Sequence, residues 1–244
     1  MIGLISNNDE SAYTEEVQHL TAWCANNDLA LNTKKTKELI VDYRKSNDGT
    51  HTPIRINGTE VERVTSFKFL GVHISEDLSW TLNTSTLTKN IHQRLFFLKR
   101  LKKIHQSPQI LVNFYRCTIE SILTNCVTVW YGNCSVSEQK ALQRVVKTAQ
   151  RITGSSLSSI EALQSKRCLR KARNIVKDCS NPNHRLFTLL PSRRHYRSLC
   201  TRTSRFRGSF FPASVTLLDS TPRCTYCTST DLCSIYILLL IQYL

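Results

Sequence analysis

Apolar residues recur along this chain with two periods, and the change of period separates an early mixed region from a later helical one. Between residues 10 and 27 the apolar positions follow spacings of four, three and four residues, at Tyr13, Val17, Leu20 and Cys24. This spacing predicts one face of an amphipathic helix. Beyond residue 79 the helical period returns and persists for about a hundred residues.

Between these helical regions the pattern favours strands. The alternation of Leu39, Val41 and Tyr43 predicts a half-buried strand. Asn57-Gly58 tolerates positive φ at both positions and therefore predicts a tight hairpin turn. A further β segment is predicted over residues 67–75. The first 78 residues are thus expected to combine a small sheet with one helix, and the chain as a whole to be α+β.

Three later helices carry start or stop signals. Ser107-Pro108 offers a hydroxyl N-cap and a proline at the first helical position, and predicts a helix running to Trp130. Ser135 and Glu138 fit a capping box for the next helix, which Gly154 would end. Another helix is predicted over residues 159–178.

The helix that begins after Ser135 has two contrasting faces. Its apolar stripe comprises Leu142, Val145, Val146, Ala149 and Ile152. Its basic stripe comprises Lys140, Arg144, Lys147 and Arg151. The basic stripe is either an ordinary solvated face or a row of phosphate contacts, and the same two interpretations apply to Arg193, Arg194 and Arg197. The aromatic pairs Phe96-Phe97 and Trp130-Tyr131 are interpreted as core residues of the helical region.

The excess of positive charge lies in the middle of the chain. The formal net charge is +15, and residues 89–207 hold 24 Lys and Arg against 4 Asp and Glu. Such an imbalance predicts a polyanionic partner, with RNA or DNA as the first candidate. No small-molecule substrate is evident.

Other features limit the class of protein. Ten cysteines are scattered without a framework, and residues 1–9 lack the pattern of a secretory signal, which predicts a cytoplasmic or nuclear protein rather than a secreted one. The apolar run 234–244 has about half of the roughly 20 residues that a membrane span needs. Cys224, Cys227 and Cys233 are one thiol short of a structural zinc site, so we expect neither metal nor cofactor.

Two segments resemble the reverse transcriptases of non-LTR (LINE-type) retrotransposons. Residues 27–37, with Lys34 and Lys35, resemble the motif that follows the catalytic strands, where the resemblance implies a lysine near the incoming nucleotide. The second segment resembles the primer-grip hairpin, through Phe67, Phe69, Leu70 and Gly71. The family needs an Asp-Asp pair to hold two Mg²⁺ ions. No such pair occurs in this chain, and the resemblance places it before Met1, so we expect no polymerase activity.

Residues 84–131 also resemble the short N-terminal domain of AlkB-homologue tRNA-modifying proteins. That resemblance implies a 2-oxoglutarate/iron dioxygenase and a methyltransferase. A dioxygenase needs a His-x-Asp pair, which is absent from this chain, and no glycine-rich methyltransferase loop is present.

These patterns together predict four parts. Residues 1–78 would be a reverse-transcriptase palm remnant, and residues 79–155 a helical, thumb-like domain. Residues 156–207 would form a basic helical or extended extension, and residues 208–244 a disordered tail. The leading functional hypothesis is a non-catalytic reverse-transcriptase fragment that binds RNA or DNA backbone; the alternative is an AlkB-homologue N-terminal-domain protein without its catalytic residues.

Overall fold

Helices dominate the described part of the chain, accompanied by short two-stranded sheets. The computed structural model describes residues 2–3, 5–7, 9–43, 51–192 and 194–220. The α-helices are α1 (Ser11–Asn26), α2 (Thr81–Lys103), α3 (Pro108–Phe114), α4 (Ser121–Leu123), α5 (Val127–Trp130), α6 (Val136–Thr153), α7 (Ile160–Lys177), α8 (Ser204–Gly208) and α9 (Phe210–Ser220). The strands are β1 (Lys37–Glu38), β2 (Arg55–Ile56), β3 (Thr59–Glu60), β4 (Glu62–Arg63), β5 (Ser66–Phe69) and β6 (Val72–Ser75). The predicted α+β class is confirmed.

The described residues fall into two compact units that divide between Phe67 and Lys68. The first unit contains α1 and the strands up to β4, and the second contains all the later helices. The finer division at residues 78, 155 and 207 stays a prediction.

The first unit has a small core around α1. Val17 of α1 is buried with Ile56 and Val61. The predicted Asn57-Gly58 hairpin is present, with φ of 50° and 76° at the two turn residues, and it joins the antiparallel strands β2 and β3. Positive φ at both positions is the geometry that a tight hairpin turn requires.

The prediction of a strand at Leu39, Val41 and Tyr43 was wrong. The extended segment stops at Glu38, because β1 pairs in parallel only with the two residues of β4. Without a longer partner, alternation alone does not continue a strand. Tyr43 is exposed.

The second unit is built on the packing of α2 against α6. Their facing side chains form a core with the helices from α3 to α5, and its largest fully buried members include Ile91, Leu98, Trp130 and Leu142. The helical period predicted beyond residue 79 is confirmed in α2, since Leu87, Ile91, Leu95 and Leu98 are buried and Leu101 is half-buried.

The single helix predicted from Ser107 to Trp130 is interrupted. Ser107 caps α3 as predicted, but a π-helical turn follows over Tyr115–Glu120, and Cys126 adopts a left-handed conformation with φ of 48° before α5. The Trp130 indole N–H donates to the carbonyl oxygen of Asn125 at 2.8 Å, which closes this bend. A local side-chain hydrogen bond thus stabilises the bend that interrupts the predicted helix.

The expectation of disorder from residue 208 onward does not hold for residues 210–220, which form α9. Val215 and Leu218 of α9 are buried together with Ala172 and Ile175 of α7. The backbones of Gly132 and Gly208 also approach so closely that a Cβ on Gly132 would lie 2.2 Å from the carbonyl oxygen of Gly208. Residues 221–244, including the three cysteines considered for zinc, lie outside the described residues.

Candidate nucleic-acid interface

Helix α6 is fixed at both ends by the signals that its sequence carries. The Ser135 hydroxyl accepts a hydrogen bond from the Glu138 N–H at 3.3 Å, and the Ser135 N–H donates to the Glu138 carboxylate at 2.7 Å. Gly154 ends the helix with φ of 69°. The predicted capping box is confirmed, and it sets the rotation of the helix from its first turn.

Glu138 also ties α6 to α2. The Thr84 hydroxyl donates to the Glu138 carboxylate at 3.0 Å. Burial raises the pKa of Glu138, but the hydrogen bonds from Ser135 and Thr84 outweigh that effect and hold the pKa below its ordinary value. The carboxylate is thus ionised at neutral pH and is engaged by the cap.

The basic stripe of α6 faces solvent along its whole length. Its four members are exposed, namely Lys140, Arg144, Lys147 and Arg151. The opposite face is buried, at Leu142, Val145, Val146 and Ala149. The stripe extends about 17 Å at the rise of an α-helix. Within the described ranges, no carboxylate lies in salt-bridge distance of these four side chains.

A second stripe with the same spacing lies on α7. Exposed cations again follow spacings of four, three and four residues, at Lys166, Arg170, Arg173 and Lys177. The buried face of α7 carries Ile160, Cys168, Ala172 and Ile175. These four cations were not among the residues predicted for the interface, although their spacing repeats that of α6.

Two other cations of α7 turn inward. The Arg167 guanidinium donates to the carbonyl oxygen of Thr124 at 2.6 Å. The Lys171 ammonium lies 4.6 Å from the centre of the Phe210 ring, and burial lowers the pKa of Lys171. Arg167 thus stabilises the bend before α5, and Lys171 packs against α9. Neither side chain belongs to the exposed stripe.

The two lysines of the first unit lie in a turn. Lys34 and Lys35 are both exposed between α1 and β1. The Lys35 N–H donates to the Asn32 side-chain oxygen at 3.1 Å, which orders the turn. Their assignment to nucleic-acid binding stays a prediction.

The basic segment after residue 190 is only partly described. Arg193 lies outside the described residues, whereas Arg194 and Arg197 are exposed. The Arg197 N–H donates to the carbonyl oxygen of Thr188 at 2.7 Å, and Tyr196 packs edge-to-face against Phe187. The Tyr196 ring therefore belongs to a small core, and we assign it no stacking role.

The primer-grip-like residues form the β5–β6 hairpin. Phe67 is exposed, Phe69 is half-buried, and the turn at Leu70-Gly71 has φ of 48° and 84°. The Asn125 amide donates to the carbonyl oxygen of Leu70 at 3.3 Å. The hairpin turn is thus anchored to the bend before α5, and a role in gripping a primer stays a prediction.

The described residues show neither a metal site nor a membrane-spanning helix. Over these ranges, no group of three or more His, Cys, Asp or Glu side chains is placed to hold a metal ion. None of the described helices combines the length and apolar character that a bilayer crossing requires.

Comparison with known proteins gives one partial match. Residues 80–121 match the family model described as "Alkylated DNA repair protein alkB homolog 8, N-terminal". No curated protein and no solved structure matches the chain. The similarity to an AlkB-homologue N-terminal domain, predicted for residues 84–131, is therefore confirmed in the part that this match covers; the matched segment is about a sixth of the chain. The resemblance to reverse transcriptases finds no support in these comparisons.

Proposed function

We propose that the second unit is a nucleic-acid-binding module that contacts the phosphate backbone of RNA or DNA through the exposed basic stripe of α6. The observation that carries the proposal is the uncompensated exposure of Lys140, Arg144, Lys147 and Arg151 on a helix whose other face is buried.

The charge balance of the unit supports this proposal. Residues 68–220 hold 25 Lys and Arg against 7 Asp and Glu, a net of +18. Of the seven acidic residues, Glu138 is engaged in the cap of α6. Surface cations are ordinarily balanced by neighbouring carboxylates, so a row of four without such neighbours favours a polyanion as ligand.

The rigidity of α6 supports it as well. A continuous helix holds the four cations in fixed register, and the α7 stripe repeats that register. Each cation that neutralises a phosphate releases condensed counterions, which is the main source of non-specific affinity. Such a surface would bind without reading base edges, because phosphates carry no sequence information.

The AlkB-homologue match gives a second candidate. The matched segment, residues 80–121, holds 7 Lys and Arg against one Glu, and the name of the matched family refers to repair of alkylated DNA. This chain would then be an accessory segment of such a protein. Turnover of 2-oxoglutarate by the iron-loaded chain would favour the enzymatic version of this candidate, although the chain has no His-x-Asp pair.

The resemblance of two segments to reverse transcriptases also remains part of the proposal. In that setting the second unit would act as a thumb that holds duplex, without polymerising. Incorporation of nucleotides on a primed template would refute the proposal that this chain is non-catalytic.

Salt-dependent binding tests the proposed function. Fluorescence anisotropy of a labelled RNA is measured over a salt series with the full chain and with the variant Lys140→Gln/Arg144→Gln/Lys147→Gln/Arg151→Gln. Since each phosphate contact adds about 0.7–0.9 to the slope of log K against log salt, we expect the variant to lower the slope by about 3.

A charge-conserving variant is the matched control. Arg144→Lys/Arg151→Lys keeps all four charges, so its slope should equal that of the wild type. An unchanged slope in the Gln variant, or no salt-sensitive binding by the wild type, would rule out the α6 stripe as the interface.

A further inference from the structure

Two adjacent aromatic residues of α2 lie at the surface, where the sequence predicted core. Phe96 is 57% exposed and Phe97 is 54% exposed. The interpretation as core was wrong because Leu95 and Leu98 already fix the buried side of α2. At 3.6 residues per turn, Phe96 falls opposite that side. Exposed apolar surface of this kind commonly marks a binding site.

Phe96 lies within a polar and basic strip that follows one side of α2. Its five members are all exposed and are spaced by four, three, four and three residues, at Lys89, Gln93, Phe96, Arg100 and Lys103. The strip extends about 21 Å at the helical rise. It thus offers an aromatic ring with cations on both sides.

The aromatic and cationic groups of the strip are in contact. The guanidinium of Arg100 lies 5.7 Å from the centre of the Phe96 ring. The Phe96 and Phe97 rings meet edge to face, with centres 5.8 Å apart and planes at 72°. We call the surface formed by these three side chains the α2 platform.

The positive charge around the α2 platform indicates which class of ligand it binds. Residues 78–119 contain no Asp or Glu. A basic partner would be repelled, and a purely apolar partner would leave the cations unused. A nucleic acid satisfies both features, since its phosphates pair with cations and its bases stack on aromatic rings. Bases in a duplex already stack on each other, so unpaired bases fit the platform better.

We infer that the α2 platform binds single-stranded nucleic acid, with Phe96 and Phe97 stacking on unpaired bases and Lys89 and Lys103 contacting the flanking phosphates. This inference rests on the proposed function and adds the class of ligand, a single strand. Stacking does not release counterions, so it raises affinity without changing the salt slope.

Three ligands separate stacking from backbone binding. The full chain is titrated into a labelled single strand, an abasic strand of the same length, and a duplex. Phe96→Ala/Phe97→Ala should bind the single strand about tenfold more weakly, equivalent to about 1.4 kcal/mol, with an unchanged salt slope. Its affinity for the abasic strand and for the duplex should equal that of the wild type.

Two variants serve as controls. Phe96→Trp/Phe97→Trp keeps the stacking surfaces and should retain the wild-type affinity. Leu82→Ala removes an exposed apolar side chain from the same helix, about 21 Å from Phe96, and should have no effect.

Each remaining outcome overturns the inference. If the wild type binds the abasic strand as tightly as the base-containing strand, backbone binding stands but stacking does not; this comparison needs no variant. If the wild type binds none of the three ligands, the proposed function fails as well. If the Ala variant keeps its affinity but converts a dimeric wild type into a monomer in sedimentation, the platform serves a second copy of the chain.

Discussion

The two compact units of this protein differ in how they are held together and in what they present to solvent. In the first unit the described core contains three buried apolar residues, Val17, Ile56 and Val61, beside strands of two residues. In the second unit nineteen buried residues form one core, which is centred on α2, α6 and the helices between them. Residues 1–67 carry 7 Lys and Arg against 10 Asp and Glu, whereas residues 68–220 carry 25 against 7.

This difference teaches that the basic surface is carried by the better-packed unit. A row of cations binds phosphates in register only if the helix that carries it keeps its rotation. In α6 that rotation is set by the capping box and by the buried Leu142 and Val146. The first unit offers Lys34 and Lys35 on a turn, with far less packing beneath them.

The largest expected effect compares one tryptophan from each unit. Trp130 is 0% exposed and donates to Asn125, whereas Trp23 of α1 is 56% exposed. Trp130→Ala should lower the free energy of unfolding by about 3–5 kcal/mol, because it empties a packed site. Trp23→Ala should change it by less than about 0.5 kcal/mol. Urea titration followed by circular dichroism measures both, and equal effects would contradict the contrast between the units.

A smaller effect is expected from the cap of α6. Ser135→Ala removes the acceptor for the Glu138 N–H and should lower the free energy of unfolding by about 1 kcal/mol. Ser156→Ala, in the exposed loop after α6, is the control and should change it by less than about 0.5 kcal/mol. A cap that contributes nothing in urea titration would mean that packing alone sets the rotation of α6.

The same cap predicts a pH dependence. Because the pKa of Glu138 is lowered in the folded protein, its ionised form stabilises the fold fully above its ordinary value of 4.5. That contribution is lost as the pH falls through the lowered folded value. The difference in unfolding free energy between the wild type and Glu138→Gln should therefore shrink below pH 4.5. A difference that grows on acidification would contradict this sign.

The smallest expected effect concerns the lysines of the first unit. Lys34→Gln/Lys35→Gln removes two exposed cations and should weaken RNA binding by about two- to threefold, equivalent to about 0.4–0.7 kcal/mol. The four-residue Gln variant of α6 should weaken it more. Anisotropy at a single salt concentration ranks the two variants, and a larger loss from the lysine pair would place the main interface in the first unit.

The sequence predicted those elements whose signals are local. The helix α6 was predictable from Ser135, Glu138 and Gly154, and the Asn57-Gly58 hairpin from its own two residues. The bend before α5 was not predictable, because it depends in part on the hydrogen bond from Arg167 to Thr124, which lie 43 residues apart in the sequence. Helix α9 likewise depends on the buried face of α7, which lies far away in sequence.

The candidate site was predictable in part for the same reason. The α6 stripe follows from helical spacing, and its exposure agrees with that spacing. The α7 stripe has the same spacing, but the additional cations Arg167 and Lys171 obscure it in the sequence. Only the structure shows that these two side chains point inward. Phe96 was misassigned because aromatic residues are usually buried, although the phase of Leu95 and Leu98 already placed it outside.

Photo-crosslinking distinguishes the two units, because it reports which of them contacts the nucleic acid. The full chain is crosslinked to a photoreactive RNA at low salt, and the crosslinked peptides are identified by mass spectrometry. We expect the crosslinks to concentrate in residues 68–220, on α6 with contributions from α2 and α7, and to disappear at high salt. Crosslinks confined to residues 1–67, or none above the level of a neutral control protein, would contradict the proposal that the second unit binds nucleic acid.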